Sequence, residues 1–255
     1  THLNKNLSSV ALIPARCGSK RIKDKNIKLL NEHPLIAYTI SAAINSGIFE
    51  DIIVSTDSVV YKEIAEYYGA SILSLRPKEY SGDNSPDIDW IRYTLNELET
   101  KGKKYDLFSI LRPSSPFRRS ETIKRALNAF LEFEGADSIR AVEMCSQHPA
   151  KMWYVKEKNM TPVLVGDNNG VPWHSCQFIS LPEIYVQNAS LEIAKTSVIF
   201  EKDSISGDII IPFITEGYEG FDINHPYDWE YATYLINQKM AQLPLVQNPT
   251  SEINR

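Results

Sequence analysis

The stretch VALIPARCGSKRIKDKN, residues 10–26, is the part of the sequence that decides the fold class. Its first four residues are apolar and are followed by Pro14, which predicts a short buried strand. The residues that follow, up to residue 28, combine one glycine, one serine and several long cations, which predicts an irregular loop. A helix is expected after this loop, because residues 35–44 show helical periodicity and Gly47 suits a helix C-terminus.

The same alternation of apolar runs and helical patterns continues to about residue 143. Further strands are predicted at residues 52–55, 71–75, 107–111 and 137–142, and further helices at 59–68, 87–99 and 120–133, with Ser120 as an N-cap. Short joins between strands and helices predict an α/β fold with a doubly wound, mainly parallel sheet. Ligands bind such sheets beyond the carboxyl ends of the strands. We therefore expect the loops 14–28, 56–57, 76–87 and 112–119 to share one rim.

The pattern changes after Met144 and becomes regular again near residue 209. A β-hairpin is predicted at residues 152–165, an irregular stretch at 166–181 and a strand at 185–193. A strand at 209–211 and a final helix at 226–239, with Asn224 as candidate N-cap, return to the first pattern. The predicted organisation is a core of residues 1–143 and 198–242, an insertion of residues 144–197, and a flexible tail of residues 243–255.

Composition excludes several classes of protein. Hydrophobic residues make up 43% and charged residues 23% of the 255 residues, which is typical of a globular protein. A net charge of -5 argues against nucleic-acid binding, and no apolar run reaches the length of a membrane span. Three scattered cysteines predict a reducing compartment, and residues 1–9 have no apolar signal segment, so we expect a cytoplasmic protein.

The cationic loop has the chemistry of a phosphate site. A glycine allows the backbone to approach a phosphate, and backbone N–H groups in such loops bind anions. Arg16 and Lys25 are suited to neutralise a triphosphate and a pyrophosphate leaving group. The spacing is neither that of a Walker loop nor that of a dinucleotide-binding loop. The alternative is a hydrated surface loop, because runs of charge are common on protein surfaces.

Residues 13–26 closely resemble the signature of the acylneuraminate cytidylyltransferase family, the CMP-sialic acid synthetases. Further matches follow in the family's order: VSTD at residues 54–57, LRP at 75–77, SGD at 81–83, RPSSPFR at 112–118, QNAS at 187–190 and FDIN at 221–224. The resemblance extends over about residues 10–236.

The resemblance implies a Rossmann-like nucleotidyltransferase that joins CMP from CTP to a 2-keto-3-deoxy sugar acid with Mg²⁺. It also implies a homodimer in which the insertion completes the partner's site. The implied catalytic residues are Arg16 and Lys25. The implied nucleotide-binding residues are Ala15, Arg16, Gly18, Ser19, Lys25, Asn26, Arg76 and Asp87. The implied acceptor-binding residues are Arg112, Lys151, Gln187 and Asn188, and the implied Mg²⁺ ligands are Asp222 and Asn224.

Four positions depart from the family pattern and keep alternatives open. They are Arg112 in place of Gln, Val186 in place of Arg, Glu192 in place of Tyr and Asn224 in place of Asp. The first three touch acceptor recognition, so a different anionic acceptor, such as Kdo or a phosphonate, is one alternative. Asn224 loses a charge and is also suited to a plain N-cap role, so a non-catalytic nucleotide-binding homologue is another. Arg112 and Lys151 have surface roles as their alternatives, and Asp222 a role in a turn.

Overall fold

The structure is a computed structural model and describes residues 6–247. Within that range it contains twelve strands and six α-helices. The strands are β1 Ser9–Pro14, β2 Leu29–Leu30, β3 His33–Pro34, β4 Asp51–Ser55, β5 Leu107–Ile110, β6 Ser138–Met144, β7 Trp153–Lys156, β8 Asn159–Pro162, β9 Asp167–Asn168, β10 Val171–Pro172, β11 Tyr185–Lys195 and β12 Ile210–Ile214. The helices are α1 Leu35–Ser46, α2 Val59–Tyr67, α3 Asp87–Thr100, α4 Ser120–Glu132, α5 Ser197–Lys202 and α6 Pro226–Asn237.

Strand β1 lies inside a six-stranded sheet with the order β12-β6-β11-β5-β1-β4. It pairs in parallel with both of its neighbours, β4 and β5, while β11 runs antiparallel to β5. Side chains alternate between the two faces of a strand. In β1, Ala11 and Ile13 accordingly belong to one buried core, and Val10 and Leu12 to the other.

Helices cover both faces of this sheet. Helices α1, α2 and α4 contribute to the core that contains Ile13, and α3 and α5 contribute to the core that contains Leu12. A strand that is buried on both faces must be apolar throughout, which explains the unbroken apolar run at residues 10–13. The predicted doubly wound, mostly parallel α/β fold is confirmed.

The predicted strand at residues 71–75 is wrong beyond its first residue. Ser71 forms a single parallel bridge with Ile53. The chain then turns away from the sheet edge, and the N–H of Arg76 donates to the carbonyl of Thr56 at 2.7 Å. The Ser74 hydroxyl donates to Glu97 of α3 rather than facing a neighbouring strand.

Two predicted helix caps are displaced by one residue. Helix α4 begins at Ser120 itself, with Arg119 as its N-cap, and α6 has His225 rather than Asn224 as its N-cap. The carboxylate of Asp228 accepts the backbone N–H groups of residues 224 and 225, so an acidic residue in the first turn closes the start of α6.

The described chain forms two compact units. The larger comprises residues 6–141 and 188–247, and the smaller comprises Val142–Gln187. The smaller unit contains the predicted hairpin as β7 and β8, and a second short pair, β9 and β10. The predicted insertion reached residue 197, whereas residues 188–195 are part of the central sheet.

The last described residues pack within the larger unit. Leu243 and Val246 pack against the core formed around α6, and Asn45 donates to the carbonyl of Leu245 at 3.1 Å. The rest of the predicted flexible tail, residues 248–255, lies outside the described residues.

Candidate functional site

The phosphate loop, residues 15–28, leaves the carboxyl end of β1 and is held by the strand beside it. The N–H of Ala15 donates to the carbonyl of Ser55 at 2.9 Å, and the N–H of Cys17 donates to Asp57 Oδ1 at 2.8 Å. Gly18 has a φ of +86°, a conformation that glycine adopts without strain. The backbone turn at this position explains the single glycine of the loop.

This loop forms one wall of a cavity of about 300 Å³ in the larger unit. The lining residues are Pro14, Arg16, Ser19, Lys25, Asn26, Arg76, Tyr80, Gly82, Asp83, Ser85, Asp87, Trp90, Arg112, Pro113 and Ser114. Three of the four loops expected at one rim, 14–28, 76–87 and 112–119, therefore meet here. The fourth, residues 56–57, supports the other loops through the backbone contacts of Thr56 and the carboxylate of Asp57.

The structure brings together most of the predicted nucleotide residues. Those that line the cavity are Arg16, Ser19, Lys25, Asn26, Arg76 and Asp87, and Arg112 of the predicted acceptor residues lies beside them. Ala15 and Gly18 belong to the loop but are not among the lining residues. The lining carries four cations, Arg16, Lys25, Arg76 and Arg112, and two carboxylates. An excess of positive charge in a small cavity favours a polyanionic ligand.

Arg76 is a buried anchor of the cavity wall. Its guanidinium donates to the Ser55 hydroxyl at 2.9 Å and to the Ser55 carbonyl at 3.1 Å, and lies 5.0 Å from the centre of the Trp90 ring. Burial lowers the pKa of Arg76 to about 10, and the carboxylates of Asp57 and Asp87 oppose this shift. Arg76 therefore remains charged at neutral pH and links β4 to α3.

Asp87 and Arg112 form an ion pair at the cavity. Arg112 donates to Asp87 Oδ2 at 2.7 Å, Trp90 Nε1 donates to Oδ1 at 2.8 Å, and Glu192 of β11 lies 3.8 Å from Arg112. Burial raises the pKa of Asp87, but the Arg112 guanidinium and the Trp90 N–H outweigh it, so the pKa lies below its ordinary value. Asp87 is thus a fixed negative charge, and Arg112 is already paired before any acceptor binds.

Arg118 is a buried cation that ends the RPSSPFR stretch and was not predicted as a site residue. It donates to the Thr39 hydroxyl at 3.2 Å and to the carbonyls of Ser115 at 3.3 Å, Arg112 at 2.6 Å and Ser190. Burial lowers its pKa to about 9. These bonds hold the loop that presents Arg112 to the cavity. The motif spacing alone does not show this, because two of its partners lie more than 70 residues away.

The predicted metal residues form a small group next to Lys25. Asn224 Nδ2 donates to Asp222 Oδ2 at 2.6 Å, and Lys25 Nζ donates to the carbonyl of Ile223 at 2.9 Å. The N–H of Ile223 donates to the carbonyl of Ser114, a residue of the cavity lining. Burial lowers the pKa of Lys25, and the charge of Asp222 opposes the shift. Residues 222–224 are thus bonded to two lining residues of the cavity, Lys25 and Ser114.

Asp222 has one oxygen that fits a cation. Its Oδ1 is buried and accepts no hydrogen bond from the described residues. Among residues 6–247 there is no cluster of three or more His, Cys, Asp or Glu side chains that would hold a metal ion unaided. A Mg²⁺ ion is commonly bound by one or two carboxylates together with water and substrate phosphates, so a single carboxylate is compatible with it.

The remaining predicted acceptor residues divide between the two units. Asn188 lies in β11. Its Oδ1 accepts the N–H of Ser190 at 3.1 Å, and its Nδ2 donates to the Thr215 hydroxyl at 3.0 Å. Lys151 and Gln187 belong to the smaller unit, where Lys151 Nζ donates to the carbonyl of His174 at 3.2 Å.

Several lining residues were not predicted as site residues. Tyr80, Asp83, Ser85 and Trp90 all belong to the loop and helix that follow Arg76. The prediction of a shared rim included this loop, but it did not identify these four side chains. Trp90 had a possible signal, because it lies three residues after Asp87 in the predicted helix and therefore on the same face.

Several known proteins share sequence with this chain. The family model described as Cytidylyltransferase matches residues 10–150. An N-acylneuraminate cytidylyltransferase of Escherichia coli is 32% identical over 246 residues, which cover 96% of this chain and 56% of that protein. A CMP-N,N'-diacetyllegionaminic acid synthase of Legionella pneumophila is 33% identical over 237 residues, which cover 92% of this chain and 98% of that protein. The chain thus spans about half of the first relative and nearly all of the second.

Solved structures share the fold. A CMP:2-keto-3-deoxy-manno-octonic acid synthetase in complex with CTP superposes with a TM-score of 0.65 at 13% identity, covering 91% of this chain and 99% of that one. No helix among the described residues is both long and apolar enough to cross a membrane.

Proposed function

The chain belongs to the cytidylyltransferase family, and we propose that it transfers CMP from CTP to a nonulosonic acid of the sialic, legionaminic or pseudaminic type. The observation that carries the proposal is the cavity beyond the carboxyl ends of the strands, with Arg16 and Lys25 on the phosphate loop and Asp222 beside Lys25. Similarity to enzymes that make CMP-activated sialic and legionaminic acids supports the acceptor class.

In the proposed reaction the anomeric hydroxyl oxygen of the acceptor forms a bond to the α-phosphorus of CTP. The bond from that phosphorus to the oxygen bridging to the β-phosphate breaks, pyrophosphate leaves with the electron pair, and the hydroxyl proton passes to solvent. Negative charge accumulates on the leaving group as this bond breaks. Arg16 and Lys25 would stabilise that charge, and Ser19 and Asn26 would hold the loop and the nucleotide in place.

We further propose that Mg²⁺ is bound at Asp222. The buried Oδ1 without a hydrogen-bond partner fits such an ion, and Asn224 orients the carboxylate by donating to its other oxygen. The bound ion would neutralise charge on the triphosphate. In the proposed site Asn224 stands in the place of the family's second carboxylate and acts as an amide donor to Asp222.

Arg112 and Asn188 of the larger unit are proposed to bind the acceptor, and the roles of Lys151 and Gln187 stay predictions from the family resemblance. Arg112 is flanked by Asp87 and Glu192, so it provides less free positive charge than an unpaired arginine. An acceptor that binds there has to compete with two carboxylates or bridge to them through its hydroxyl groups. A panel of acceptors is therefore the decisive test of the substrate.

The experiment is to measure pyrophosphate release from CTP and Mg²⁺ with N-acetylneuraminic acid, diacetyllegionaminic acid, pseudaminic acid, Kdo and a simple phosphonate. Release with one nonulosonic acid, lost in Arg16→Ala, would support the proposal and identify the acceptor. Release only with Kdo or the phosphonate would transfer the assignment to another anionic acceptor. CTP binding without release from any acceptor would favour a non-catalytic homologue.

A homodimer in the cytoplasm is also proposed. The smaller unit exposes apolar side chains, including Val155, Val165 and Ile179, of which Ile179 is 94% exposed. A second copy is the expected partner for them. Light scattering should show a dimer that Ile179→Lys weakens, whereas Leu245→Lys, at an exposed apolar position of the larger unit, should not. The unpaired thiols of Cys17, Cys145 and Cys176 support a reducing compartment.

A further inference from the structure

The carboxylate of Asp83 contacts two cations of the phosphate loop. Asp83 Oδ1 lies 2.9 Å from Arg16 NH2, and Oδ2 contacts Lys20 Nζ closely. Each oxygen of the carboxylate thus has its own cationic partner. Asp83 itself is among the residues that line the cavity, together with Arg16.

Asp83 belongs to a turn that is closed by its own hydrogen bonds. The N–H of Gly82 donates to the Ser85 hydroxyl at 3.1 Å, the Ser85 N–H donates to the Gly82 carbonyl at 3.1 Å, and the Ser85 hydroxyl donates to the carbonyl of Glu79 at 3.1 Å. These bonds hold the turn together without help from the phosphate loop. The side chain of Asp83 joins this turn to the phosphate loop through Arg16 and Lys20.

A carboxylate in this position has the same binding preferences as a phosphate oxygen. Both are anionic oxygen acceptors that bind arginine and lysine donors at similar distances. The side chains of Asp83 and Arg16 are 43% and 38% exposed, and that of Lys20 is 79% exposed. Exposed ion pairs are weak, so a multiply charged ligand can replace the carboxylate at little cost.

We propose that Asp83 is an intramolecular competitor of the pyrophosphoryl group: it pairs with Arg16 and Lys20 when no ligand phosphate is present, and pairs with them again as pyrophosphate departs. The inference rests on the proposed function, because it assumes that these cations bind the phosphates of CTP. Its consequence is a phosphate site of limited affinity, from which pyrophosphate is released readily. The Lys20 ammonium, with help from Arg16, lowers the pKa of Asp83, so the competing group is an anion throughout the neutral pH range.

The test is to titrate inorganic pyrophosphate, without Mg²⁺, into the full chain by calorimetry. Asp83→Asn should bind pyrophosphate roughly threefold to tenfold more tightly than the unchanged protein, the effect of one or two exposed ion pairs. The matched control is Glu79→Gln, which removes one negative charge from the same loop at a side chain that forms no ion pair within residues 6–247. Its affinity should change by less than about twofold, since only the long-range charge effect remains.

A second measurement distinguishes a direct contact between Lys20 and Asp83 from a general effect of the protein's net charge. Lys20→Met should weaken pyrophosphate binding more in the Asp83→Asn background than in the unchanged protein, because Lys20 is partly neutralised by Asp83 in the latter. The inference is overturned if Asp83→Asn and Glu79→Gln behave alike, if Asp83→Asn binds pyrophosphate more weakly, or if pyrophosphate binds to none of these proteins.

The same proteins distinguish this inference from the proposed function. Tighter pyrophosphate binding by Asp83→Asn, with no turnover on any acceptor, would uphold the competitor role and reject the transferase assignment. Turnover on a nonulosonic acid, with unchanged pyrophosphate affinity and unchanged product inhibition in Asp83→Asn, would do the reverse.

Discussion

Replacing Arg112 by Gln, the residue usual in the family, tests whether the ion pair with Asp87 is integral to the site. The two side chains are 29% and 34% exposed, so the pair is neither a surface ion pair nor a fully buried one. Exposed pairs contribute about 0.2–1 kcal/mol, and breaking a buried pair costs about 3–5 kcal/mol. We expect Arg112→Gln to lower the free energy of unfolding by about 1–3 kcal/mol.

The effect should depend on pH in a defined direction. The folded-state pKa of Asp87 is lowered, so its pairing stabilises the protein above the unfolded-state value of about 4, and this contribution is lost as the pH falls through the folded-state pKa. Without Arg112, burial is opposed only by the Trp90 N–H and Arg76, so the pKa of Asp87 should rise and the charged carboxylate should stabilise the protein less. The loss of unfolding free energy in Arg112→Gln should therefore be largest near pH 7 and become smaller as the pH approaches 4.

The assay is a double-mutant cycle of Arg112→Gln and Asp87→Asn, followed by urea unfolding at several pH values. The melting temperature of the single variant should fall by about 3–10 °C at pH 7. Arg92→Gln is the matched control, because Arg92 pairs with Asp203, whose side chain is 82% exposed. Additive effects of the two changes, or a deficit that is the same at pH 7 and pH 4, would refute the reasoning.

Three further predictions concern single side chains. Arg118→Lys should lower the free energy of unfolding by about 2–4 kcal/mol in urea titrations, because an ammonium group cannot satisfy all four acceptors of the guanidinium, and a loss below about 0.5 kcal/mol would contradict its anchoring role. Arg16→Ala should lower turnover at least about tenfold in the pyrophosphate-release assay, whereas Lys23→Ala, at an exposed position that does not line the cavity, should leave it nearly unchanged. Asp222→Asn should reduce turnover and weaken its dependence on Mg²⁺, and an identical Mg²⁺ titration curve would place the ion elsewhere.

Much of the larger unit was predictable from local patterns. The run at residues 10–13 had to be a strand buried on both faces, and the loop after it had to leave the carboxyl end of the sheet. The order of strands was not predictable in this way. The position of β11 between β5 and β6 depends on pairing between segments about 80 residues apart, which local periodicity does not encode.

The features of the candidate site also divide into those that the local sequence predicts and those that it does not. Arg16 and Lys25 were predicted because their loop has a recognisable composition and resembles a known family. The ion pairs of the site were not predicted, because Asp83 meets Arg16, and Asp87 and Glu192 meet Arg112, only through the tertiary fold. The expected strand at residues 71–75 failed for a related reason: its apolar residues suit a strand, but only Ser71 bridges to β4, and Arg76 is held instead by side-chain bonds to Ser55.

The alternation of side chains along β1 restricts where the chain can change in length. One extra residue inside this strand would exchange the side chains that face the two cores, so Ala11 and Ile13 would have to occupy the places of Val10 and Leu12. It would also displace Arg16 by about 3.3 Å along the strand direction. A residue added in the turn between β7 and β8 would do neither. The packing of β1 thus fixes the distance between the sheet and the phosphate loop. A change of chain length in the turn between β7 and β8 leaves that distance unchanged.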